Sequence, residues 1–69
     1  MFEKYYVNTK AQSNGDHEVH SESCEYLPED DNRGFLGRFS RCQDALQKAK
    51  EAFKNADGCY YCCGPCHSS

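Results

Sequence analysis

Four residues carry the clearest chemistry in the chain. His20 and Cys24 stand in H-x3-C spacing, and Cys59 and Cys62 in C-x2-C spacing. Zinc takes four nitrogen or sulfur donors in a tetrahedron, and spacings this short let one turn of backbone present two donors to one ion. Two such pairs, bracketing enough chain for a loop, a strand and a helix, predict one structural Zn2+ per chain on His20, Cys24, Cys59 and Cys62. Four protein donors leave no open position for water, so the ion is expected to staple the fold and not to catalyse.

The remaining thiols leave alternatives open. Cys66 can replace His20 or Cys62 in the ligand set, or join Cys63 and His67 in a second site. Cys63-Gly64-Pro65-Cys66 spells a thioredoxin-type dithiol, and with His67 it also matches the C-x-x-C-H pattern of haem attachment. A thioredoxin thiol is activated at a helix N-terminus that follows a strand, whereas this motif follows a helix. Haem needs a second axial ligand, and the only methionine is Met1. A thiol redox protein or sensor using Cys63 and Cys66 is the alternative class. Six cysteines also permit three disulfides. Cys42 is expected as a buried free thiol on an apolar helix face, and His17 as solvent-exposed. No hydrolytic constellation and no glycine-rich phosphate cradle stand out.

These side chains must be positioned by few elements. Residues 2–8 are rich in aromatics and read as a strand. Asn14-Gly15 is a hairpin turn signal, and residues 17–21 form the second strand, with Val19 as its anchor. Residues 29–31 belong to an exposed acidic loop, and residues 35–39 make a third short strand. Ser40 and Gln43 stand in capping-box spacing ahead of apolar residues at Cys42, Ala45, Leu46, Ala49, Ala52, Phe53 and Ala56. That pattern predicts an amphipathic helix over about 41–56, ended by Gly58 at its C-cap. A C-terminal cysteine knuckle follows. The expected fold class is a small metal-stapled α+β domain spanning residues 1–69.

Composition says why a staple is needed. Leu, Val and Phe make up nine of the 69 residues, and there is no Ile. That is well below the roughly one fifth under which a charged chain usually stays disordered, and domains this small commonly need metal or disulfides. No run approaches the roughly 18 apolar residues of a membrane span. Residues 1–6 have neither a basic segment nor an apolar run, which predicts a cytoplasmic protein whose thiols are free to ligate metal. The net charge is −3. The five bases after residue 35 (Arg38, Arg41, Lys48, Lys50 and Lys54) offer a local basic face for nucleic acid, and otherwise a solvated helix surface. Tyr5, Tyr6, Tyr60 and Tyr61 either stack on bases or cover the small core.

The order H-x3-C, Asn32, Phe39-Ser40 leading into a helix with Ala45, and C-x2-C resembles the Ada-like zinc-binding domains, typified by the N-terminal domain of the bacterial methylphosphotriester-repair protein. It is also similar to short bacterial proteins with a Val-His-x3-Cys start and a Gly-Cys-Tyr-Tyr-Cys and Cys-His ending. The resemblance covers roughly residues 17–66 and implies zinc on His20, Cys24, Cys59 and Cys62. His20 stands where the methyl-accepting cysteine of that family stands. Asp57, Tyr60 and Tyr61 replace the basic residues flanking its second pair. The implied function is a structural-zinc interaction module, for protein or nucleic acid, without methyl-acceptor activity.

Overall fold

A computed structural model describes residues 2–68. The described residues form an α+β fold, with four strands in one mixed sheet and one α-helix. Strand β1 (Glu3–Asn8) pairs antiparallel with β2 (His17–Ser21) and with β3 (Arg33–Phe39). The strand order is β3-β1-β2-β4, and β4 (Ala56–Gly58) runs parallel to β2.

The alternation in β1 sets the two faces. Tyr5 and Val7 point into the core, with Val19 of β2 opposite Val7, while Tyr6 and His20 share the other side. The hairpin turn forms where expected. The Asn14 side-chain carbonyl accepts the Asp16 amide at 2.9 Å, and the Gly15 amide donates to Gln12 O at 2.8 Å. Strand β3 starts two residues before the expected 35, because Arg33 and Gly34 pair with Asn8 and Val7. Its register slips between Tyr5 and Tyr6, where Gly37 takes φ 134°, a conformation that glycine adopts without strain. The slip admits Leu36 as an extra residue and turns it onto the core.

The helix is shorter than its periodicity predicts. Helix α1 spans Cys42–Lys50, and its N-cap is Arg41, with no side-chain cap; the Ser40–Gln43 capping box does not form. Cys42, Ala45 and Ala49 are buried and Leu46 packs beside them, but Ala52 is exposed. The chain turns at residues 51–55, with the Ala52 and Phe53 amides both donating to Ala49 O. Ala56–Gly58 then pairs with β2, so sheet pairing and burial override helix propensity there. Gly58 is a strand residue at negative φ and not a helix C-cap. Its small size serves a close approach instead. A Cβ at this position would meet Cys66 Cβ at 2.6 Å and Cys63 O at 2.8 Å.

Candidate metal centre

The two cysteine-bearing segments meet at the C-terminal ends of the parallel strands β2 and β4. His20 is the penultimate residue of β2, and a turn follows in which the Cys24 amide donates to Ser21 O at 3.1 Å. Strand β4 delivers the second pair, because the Cys59 amide continues the ladder onto Val19 O at 3.0 Å. A second tight turn, Cys63 N–H to Cys59 O at 2.8 Å, brings Cys62 back toward Cys59.

The result is one cluster. One donor atom each from His20, Cys24, Cys59 and Cys62 lies within 4.8 Å of all the others, a group that can hold a metal ion. It comprises the four residues expected from spacing. His20 is 2% exposed, and its Nδ1 is buried with no hydrogen-bond partner. An orphaned buried imidazole nitrogen among three thiols is unfavourable unless something binds it, and a metal ion fits. The other ring nitrogen, Nε2, lies 3.6 Å from Glu18 Oε1. That carboxylate suits the outer partner that metal-bound histidines use to fix their orientation. Glu18 was not singled out from the sequence, although i, i+2 spacing on a strand places it on the same face as His20.

The thiols resist ionisation when no cation is near. Burial pushes Cys59 up to about 12, against the amides of Cys62 and Tyr61, which act to lower it. Burial also raises Cys24, opposed by the Tyr26 amide, which donates to its sulfur at 3.4 Å. Cys62 is raised, first by its hydrogen bond to Cys63 and then by burial. That same contact, 3.8 Å between sulfurs, lowers Cys63. A bound dication would reverse this balance and displace the protons of its ligands.

Cys66 is not in the cluster. It is joined in a disulfide to Cys42 of α1, so Cys42 is not the free thiol expected from the helix pattern. Cys63 is fully buried in the core. The His67 ring is held by β4, with Nδ1 3.0 Å from Gly58 O and 3.3 Å from Asp57 Oδ2. Buried Asp57 also accepts the Ser68 amide and hydroxyl, which ties the end of the described chain to β4. Among the described residues no second group of three or more metal-ligating side chains forms.

His17 is only partly exposed. Its ring stacks on Phe53 at 4.1 Å and its Nδ1 is 2.9 Å from Asn8 O, because the turn after α1 folds over the start of β2. Tyr5 is buried, while Tyr61 stacks on Tyr26 at 4.5 Å with Tyr60 edge-on beside it. Of the five bases, Arg38 lies on β3 and the other four on or beside α1, where Arg41 pairs with Asp44 and Lys48 with Glu51. No helix among the described residues is long and apolar enough to cross a membrane. No protein-family model, no curated protein and no solved structure matches the chain.

Proposed function

We propose that this chain is a structural-zinc module that works by interaction, with protein or nucleic acid, and not by catalysis. The observation that carries the reading is the convergence of three thiols and an otherwise unpartnered buried imidazole nitrogen within 4.8 Å. Thiolate and imidazole donors in a four-membered set suit Zn2+ above the oxygen-seeking cations. One ion there ties the turn after β2 to the turn after β4. The Ada-like resemblance implies the same four ligands, and His20 at the first position supports binding without methyl transfer. A reducing cytoplasm would keep the ligand thiols available. The redox alternative needs Cys63 and Cys66 facing each other, whereas Cys66 is joined to Cys42.

Zinc binding of this kind contributes on the order of 10 kcal/mol to folding, comparable to the whole stability of a small domain. Dialysis against a strong chelator should remove about one zinc per chain together with the folded far-ultraviolet circular dichroism, and added zinc should restore both. A chain that keeps its fold after losing its metal would refute the structural role.

A further inference from the structure

We propose that the uncovered part of the sheet, over β1 and β3, binds single-stranded nucleic acid, stacking a base on exposed Phe35, which Tyr6 backs, and holding phosphates with Lys4 and Arg38. This deepens the interaction-module reading and rests on it, and none of the four contact residues belongs to the ligand cluster.

Helix α1 covers one face of the sheet, against Tyr5, Val7 and Val19. On the other face the register sets Tyr6 beside Phe35 and Lys4 beside Arg38. The Tyr6 and Phe35 rings lie 5.4 Å apart, tilted by 56°, and Phe35 is 59% exposed. The Arg33 guanidinium sits 4.8 Å over the Tyr6 ring, donates to Pro28 O at 3.0 Å and pairs with Asp30. Arg33 is therefore a fixed, partly neutralised prop that holds the tyrosine in place. Lys4 and Arg38 are exposed and make no ion pair with any described residue. Glu18, on the neighbouring strand, is held at His20.

An exposed aromatic ring, backed by a second and with unpaired cations beside it, suits a flexible polyanion that carries flat apolar faces. Aromatic side chains on a sheet stack splayed bases with little regard to sequence, and cations track the backbone. A duplex hides its base faces and cannot use the rings. An apolar peptide has no use for the cations. Two phosphate contacts on a single strand predict a salt slope of about −1.4 in log K against log salt.

The test is fluorescence anisotropy of labelled dT8 and rU8 with the full chain at low and moderate salt, recording metal content and circular dichroism for each variant. Binding to either oligomer, weaker at higher salt and weaker still for a duplex of matched length, is the expected result. Phe35→Ala should weaken binding about tenfold or more while Phe35→Trp retains it. Lys4→Ala and Arg38→Ala should each flatten the salt slope by about 0.7, and Lys54→Ala should leave binding unchanged. No binding at low salt, a Phe35→Ala chain that binds as the parent does, or a duplex bound as tightly would overturn the proposal. So would loss of self-association in Phe35→Ala without any effect of oligonucleotide, which would make the face a contact between copies along the β3 edge. Failure of the zinc reading would appear separately, in the metal content.

Discussion

The amide of Cys59 donates a 3.0 Å hydrogen bond to the carbonyl of Val19, the residue before His20. This bond joins the two halves of the candidate metal centre. Because β2 and β4 are parallel, both carry their ligands to the same end of the sheet. Val19 is fully buried, so this anchor sits in the core and is fixed by packing as well as by the ladder.

Cys59 and Cys63 separate the ligand set from its neighbours. Both are buried thiols, but only Cys59 belongs to the four-residue cluster. Cys59→Ser should abolish stoichiometric zinc binding. Cys63→Ala should cost about 1–2 kcal/mol of stability through lost packing and retain about one zinc per chain. Metal content by atomic emission, beside a denaturant melt, checks both. Zinc lost from Cys63→Ala and kept by Cys59→Ser would invert the assignment.

Glu18 should tune the metal without touching it. Glu18→Gln keeps the size of the side chain but removes the charge beside His20 Nε2. Zinc affinity measured by competition with a chromophoric chelator should fall by about 10- to 100-fold, with stoichiometry unchanged.

Gly58 has no room for a side chain. Gly58→Ala must displace the turn from Cys63 to Cys66, since the added carbon would lie 2.6 Å from Cys66 Cβ. A loss of about 1–3 kcal/mol, read from urea midpoints, is expected together with weaker zinc retention. An unchanged midpoint would mean that the turn packs elsewhere.

The disulfide and the metal should be separable. Cys42 and Cys66 are 24 residues apart in sequence, and the loop they close is worth about 3 kcal/mol in the chain-entropy account. A phosphine reductant should lower the melting temperature while zinc stays bound, because neither cysteine is in the ligand cluster. Release of zinc on reduction alone would mean that the Cys42–Cys66 crosslink braces the site and that the two are not separable.

The parts of this molecule that announce themselves locally were legible in the sequence. His20, Cys24, Cys59 and Cys62 could be read because short spacing and donor chemistry constrain each pair within one turn. The aromatic-rich run of residues 2–8 marks the first strand, and Asn14-Gly15 its hairpin. What could not be read depended on distant partners. Residues 56–58 look like the end of an alanine-rich helix until β2 offers them an open edge. Cys42 looks like an ordinary core thiol until α1 is laid against the turn carrying Cys66. The clamp of Asp57 on Ser68 and His67 has no signature at all, since nothing in the residue types says which carboxylate will be buried.

Native mass spectrometry of the purified chain, before and after brief acid treatment and with thiols alkylated in parallel, tests the zinc site most directly. It counts metal and disulfides in the same molecule. The expected result is one zinc per chain that leaves on acidification, three ligand thiols (Cys24, Cys59 and Cys62) shielded from alkylation until it does, and no disulfide involving those three. A folded, metal-free chain with Cys24, Cys59 or Cys62 oxidised to one another would contradict it.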